Sequence, residues 1–130
     1  MSIDCADLIG LAQRLSAGNN ECEWRSGASR AYYAAYHKAL DVADECLPPN
    51  PYAAGQHERL TDRFAAEGRK GKALAYVLID LKKVRTHADY HLSTAFDQRD
   101  AIDLVANCVA FLPKADAFRV QLRTDEPAMP

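Results

Sequence analysis

The chain has 130 residues, of which 48% are hydrophobic and 26% charged, and its formal net charge is -2. A chain of this length builds one hydrophobic core and not two, and its composition excludes a collagenous, mucin-like or wholly disordered protein. Near-neutral charge also excludes a generic nucleic-acid coat, so any contact with RNA or DNA has to be a local patch.

No apolar run approaches the roughly 18 residues of a membrane span. Met1-Ser2-Ile3-Asp4 lacks the basic start and apolar stretch of a signal peptide, so a cytoplasmic location with no membrane partner is expected. Apolar residues recur at helical spacing and nowhere alternate as in a half-buried strand, which predicts an all-α protein. Leu8, Leu11, Ala12 and Leu15 form the stripe of a first helix, started by Ser2 or Asp4 and stopped near Gly18-Asn19-Asn20. Asn20 and Glu23 have capping-box spacing, and Trp24, Ala28, Ala31, Ala35, Ala39, Val42 and Cys46 then step by three and four along a long second helix. Its alanines let neighbouring helices approach closely, which predicts a central position.

Leu47-Pro48-Pro49-Asn50-Pro51 cannot continue a helix and marks a boundary. A third helix, Gly55 to Ala66, carries His57, Leu60 and Phe64 on one side, and Gly68-Arg69-Lys70-Gly71-Lys72 reads as an exposed basic turn. Leu74, Leu78, Leu81, Val84 and Ala88 stripe a fourth helix that runs to about Tyr90. Asp97 caps a fifth, striped by Ile102, Val105, Val109 and Leu112, which Pro113 should kink or end. Without an internal repeat or linker, the expectation is one domain over residues 1–123, a four- to five-helix up-and-down bundle, followed by a disordered tail at 124–130. Cys5, Cys22, Cys46 and Cys108 contain no C-x-x-C pair and read as buried thiols.

Two polar stretches interrupt this pattern. On the second helix, Arg30, Tyr33 and His37 share one face and Tyr32 and Tyr36 the adjoining one. Buried polar tips need partners, and the fourth helix offers Asp89, one turn after Arg85. An ion pair from Arg30 to Asp89 across the bundle is therefore expected, with Asp89 also within reach of Arg85.

Three sequence features together resemble the HEPN superfamily: Arg30-Ala31-Tyr32-Tyr33-Ala34-Ala35-Tyr36-His37, the His57 segment ending in Phe64, and Arg85 to Tyr90 with its Ala88-Asp89-Tyr90 triplet. The similarity runs from about Asn20 to Leu112. It implies a HEPN-like helical bundle, often a homodimer, and in many members a metal-independent endoribonuclease of toxin-antitoxin or phage-defence systems. The family signature is an Arg, four to six residues, then a His, which Arg85 and His91 match and Arg30 and His37 match as well.

On that reading His91 is the acid or base that moves the 2′-hydroxyl proton, and Arg85 holds the phosphate. The two lie about 120° apart on an ideal helix, so a dimer would have to bring two copies of the motif to one cleft. Arg69, Lys70 and Lys72 would hold flanking RNA phosphates. No metal or other cofactor is called for. The alternative within the family is a non-catalytic nucleotide- or partner-binding module that works with a nucleotidyltransferase; there Tyr90 is the position modified, and Arg30, Tyr33, His37 and Asp89 support the partner surface. A third class is a metal-binding bundle on His87 and His91, with Asp80 further along the same face.

Overall fold

The computed structural model describes residues 2–50 and 55–125. Local chemistry sets where its first helices begin. Asp4 accepts the Asp7 amide at 2.9 Å while the Asp7 carboxylate accepts the Asp4 amide at 2.9 Å, a reciprocal capping box that opens α1 (Cys5–Ser16). Asn20 caps α2 (Glu21–Cys46) by accepting the Glu23 amide at 2.9 Å, and the Glu23 carboxylate accepts from the Asn20 side chain at 2.7 Å. After the proline segment come α3 (Gln56–Ala65), α4 (Gly68–Tyr90) and α5 (Gln98–Asp125).

Helix α2 is central and packs against each of the others. Ala28, Ala31, Ala34, Ala35, Ala39 and Ala43 are all fully buried along it, because neighbours approach its backbone from several sides. Tyr32, Phe64, Phe96, Phe111, Leu78 and Leu104 fill the volume between the helices.

Pairings give the helix directions. Cys5 donates to the Ala34 carbonyl, so α1 runs antiparallel to α2; Arg25 and Ser29 meet Ala88 and Asp89, so α4 does too. Phe96 meets Glu21 while Asp116 meets Lys38, so α5 runs parallel to α2. The four long helices thus alternate as expected. Short α3 is the addition, running in the same sense as α2, with His57 beside Tyr32 and Arg63 beside Asp44.

Several expectations need correction. The basic segment at 68–72 is not a free turn: Gly68, at φ 70°, makes the bend, and α4 begins at that residue. A Cβ at Gly71 would lie 2.1 Å from the Phe64 carbonyl oxygen, so only glycine permits the close α3–α4 approach there. Pro113 lies inside α5 and does not end it. Phe111, Ala115 and Phe118 anchor the helix on both sides of it, while Pro113 and Val109 sit on the exposed side, where the carbonyl deprived of its donor can turn to water.

The buried stripe of α5 is Ala101, Leu104, Val105, Cys108, Phe111, Ala115 and Phe118, leaving Ile102 and Val109 largely exposed. Similarly, Leu11 of α1 is largely exposed and Ile9 takes the core position. Of the four cysteines only Cys108 is fully buried, and Cys22 is exposed on the first turn of α2. Helix α5 extends through Asp125 into the segment expected as a tail, and residues 126–130 of that expectation lie outside the described residues.

Candidate functional site

Two arginines, Arg25 and Arg85, are buried where α2 meets the C-terminal end of α4. Arg25 Nη1 donates to the carbonyls of His87 at 3.1 Å, Ala88 at 3.0 Å and His91 at 3.2 Å, its Nη2 donates to the Thr94 carbonyl, and its Nε donates to Glu21 at 3.3 Å. Carbonyls at the end of a helix run short of backbone donors; here the His87 carbonyl also accepts the His91 amide and the His91 carbonyl the Thr94 amide, and Arg25 adds a cation at the negative end of the helix dipole. Glu21 extends the clamp by accepting the Phe96 amide at 3.0 Å. That amide first, and Arg25 next, hold the Glu21 carboxyl below the usual carboxylate range. The first turn of α2 therefore positions residues 91–96, which join α4 to α5.

Arg85 lies within an aromatic cage. Its guanidinium carbon is 5.2 Å from the Tyr32 ring centroid, 5.7 Å from that of Tyr33 and 5.7 Å from that of Tyr90. Its Nη1 donates to Asp89 at 3.4 Å, and Ser29 donates to the same carboxylate oxygen at 3.1 Å. Burial works against the charge, but Tyr33, Asp89 and Tyr90 more than offset it, so the guanidinium keeps its proton. Its Nε is buried with no hydrogen-bond partner among the described residues.

Behind the cage, the Tyr32 hydroxyl and His57 Nδ1 are 2.7 Å apart, and the Tyr36 and His57 rings are 4.5 Å apart. Burial pushes the Tyr32 phenol far up, and burial, then Lys82 and Arg85, pull the His57 imidazole down. A protonated phenol and a neutral imidazole share one hydrogen bond there, with its direction set by the imidazole tautomer.

His57 also borders an open groove between α3 and α4, about 670 Å³ in volume. Helix α3 contributes His57, Glu58, Thr61 and Asp62; helix α4 contributes Ile79, Lys82, Lys83, Thr86 and His87, and His91 closes the end.

The expected site residues divide among these places. Arg85, Asp89, Tyr33 and Tyr90 come together. The ion pair expected from Arg30 is not formed: Arg30 is exposed, its guanidinium stacks 5.5 Å over Tyr33, and Asp89 is engaged by Arg85 and Ser29. Arg25, one turn earlier on α2, is the buried arginine. His37 is exposed beside Tyr36, at 5.4 Å between ring centroids. His91 is exposed in the groove, whereas Arg85 points into the cage and does not line that groove. Arg69, Lys70 and Lys72 are exposed on the first turns of α4, about 30 Å from His91 at the rise of an α-helix. Within one chain they do not flank the Arg85–His91 end.

Sequence reasoning singled out neither Arg25 nor the Lys82–Lys83 wall. The available signal for Arg25 was its i,i+4 spacing from Glu21 and its place in the series 25, 29, 32, 36 on one helix face. Among the described residues, no three His, Cys, Asp or Glu side chains form a group able to hold a metal ion, although the His87 and His91 rings are 5.5 Å apart. Among these residues, too, no helix is long and apolar enough to cross a membrane. The fold and the site define an all-α five-helix bundle with a caged arginine beside a histidine- and lysine-lined groove. No protein-family model and no curated protein matches the chain.

Proposed function

We propose that this chain is a HEPN-type module that binds rather than cuts, working with a nucleotide or a partner protein. The observation that carries this reading is the state of Arg85. A phosphate clamp must present its N–H groups to the substrate, and the Arg85 side chain is only 6% exposed, enclosed by three tyrosines and paired with Asp89. Its would-be partner His91 lies on the groove side of the helix. Incubation with total RNA in the presence of a chelator tests the reading: intact RNA supports it, and fragments ending in 2′,3′-cyclic phosphate would overturn it.

A second reading, the metal-independent endoribonuclease of a toxin-antitoxin or phage-defence system, is favoured by exposed His91, next to half-buried His87, in the groove that Lys82 and Lys83 line. It needs a homodimer that releases Arg85 toward RNA, and in that case His91→Ala would lower cleavage by about 10² or more. For the binding module, Tyr90 is the residue open to a nucleotidyltransferase partner, because it is 69% exposed while its ring covers Arg85. A nucleotide-sized mass increase on the wild type and not on Tyr90→Phe, after incubation with such an enzyme and a nucleoside triphosphate, is the expected result.

A further inference from the structure

Helix α5 is apolar on two opposite sides. Helices α1, α2 and α4 pack against it, and Leu104, Cys108, Phe111 and Ala115 are buried there. On the solvent side, the exposed residues between Asp103 and Lys114 are Ala106, Asn107, Val109, Ala110 and Pro113. The exposed residues of α3, by contrast, are Gln56, Glu58, Arg59 and Asp62, the ordinary polar face of a surface helix. A helix that is apolar all round is one whose second face is normally covered too. Ile102, 42% exposed, and Val109, 38% exposed, are the large side chains left in water along this face.

The spacing of the face says what fits it. Ile102, Ala106, Val109, Ala110, Pro113 and Ala117 lie within about 60° of one line along α5 at the helical period. Their steps of four, three, one, three and four residues read the same in both directions. A second copy laid antiparallel about a two-fold axis midway between Val109 and Ala110 therefore sets Ile102 opposite Ala117, Ala106 opposite Pro113 and Val109 opposite Ala110. Each bulkier side chain faces a smaller one, and the alanines beside the axis let the two backbones approach closely.

Charge agrees with this register. Asp103 and Lys114 lie on the same flank of the stripe, and an antiparallel two-fold keeps that flank together in both copies. Asp103 of one copy then meets Lys114 of the other with an offset of two residues, about 3 Å, which a lysine side chain spans. The Asp103 side chain is still 57% exposed after its pairing with Arg99 at 3.2 Å. A parallel pair would leave Asp103 and Lys114 on opposite flanks.

We propose that the outer face of α5 is a self-pairing surface on which a second copy of this chain docks antiparallel. The arrangement differs from the shared cleft that the endoribonuclease reading needs. Each α5 begins at Gln98, just after the Arg85–His91 end, and antiparallel pairing sets the two starts about 35 Å apart along the helix axis. Each copy keeps its own caged arginine and its own groove, which goes beyond the binding-module reading without depending on it.

Light scattering of the full chain over a dilution series should give twice the mass of one copy at high concentration. Ala106→Arg, which puts a charge beside the axis, should weaken pairing by at least about ten-fold with an unchanged circular dichroism spectrum. Asp103→Lys should weaken it by about three- to ten-fold, since two symmetric pairs are lost, and adding Lys114→Asp should restore it. In a Cys22→Ser background under oxidising conditions, Val109→Cys should form an intermolecular bridge between the introduced thiols, and His91→Cys should not.

A monomer at every concentration, pairing unaltered by Ala106→Arg, no rescue by the double charge exchange, or bridging through His91→Cys in place of Val109→Cys would each overturn the α5 surface. The last is the result that a shared cleft predicts. RNA cleavage by a chain paired through α5 would overturn the module reading and leave the surface standing, whereas a monomer that leaves RNA intact would remove the surface alone.

Discussion

Arg25 and Arg85 are both buried, both touch aromatic rings and both sit at the α2–α4 contact, yet their N–H groups meet different fates. Every terminal nitrogen of Arg25 is satisfied by backbone carbonyls at the end of α4 and in the segment that follows it. Arg85 has a long hydrogen bond to Asp89, three ring faces and an Nε with no partner among the described residues. A guanidinium that completes the hydrogen bonding of the backbone stabilises the fold. One held largely by ring faces is kept charged in place at some expense to stability, which is the pattern of a residue retained for another reason.

Substitutions should separate the two. Arg25→Ala, which leaves several carbonyls and Glu21 without their cation, should cost on the order of 3 kcal/mol, read as a fall in urea midpoint; Arg25→Lys should recover only part, because one ammonium cannot span the set. Gly71→Ala should come next, at about 2 kcal/mol, since its Cβ would meet the Phe64 carbonyl at 2.1 Å. Arg85→Met, of similar volume, should cost less than about 1.5 kcal/mol. An Arg85→Met loss equal to that of Arg25→Ala would erase the distinction between the two arginines.

Acid titration sharpens the contrast further. Burial, then Lys82 and Arg85, hold His57 below its ordinary 6.5, so the unfolded chain takes up a proton that the folded chain refuses. Stability should therefore fall as pH drops from about 6.5 to the lower folded value, and His57→Gln should flatten that part of the curve. Glu21, lowered chiefly by the Phe96 amide, contributes stability that is complete above its ordinary 4.5 and lost as pH falls through the folded value, so Glu21→Gln should flatten the acid limb. The smallest effect on the fold comes from thiol chemistry. Burial pushes Cys108 up to about 12, so at pH 8 an alkylating reagent should label exposed Cys22 and leave Cys108 unmodified until the chain unfolds.

The helices, their order and most of the core of α2, α3 and α4 were legible in the chain, because periodicity, caps and prolines act within a few residues of one another. Asn20, the 47–51 break and the Leu74–Ala88 stripe are of that kind. On α5 the same reasoning placed Ile102 and Val109 inward, since runs of apolar residues leave two faces nearly equivalent. Pro113 read as a kink or an end because its local penalty is visible, whereas the packing of Phe111 and Phe118 that carries the helix past it is not. The candidate site was half legible: Arg85, Asp89 and Tyr90 are close in sequence and close in space.

Which arginine of α2 is buried is a long-range matter. Arg25 and Arg30 are chemically identical and less than two turns apart, and only the end of α4, more than 60 residues away in the chain, chooses between them. The sequence by itself determined that helices form, that one breaks at the 47–51 prolines and that polar groups crowd two of them, because those are short-range consequences of residue type. Tertiary structure alone decided that Arg25 would cap α4, that Arg85 would be caged, and that α3 and α4 would part to leave a groove. Each of these depends on carbonyls, rings and backbone brought together from distant parts of the chain.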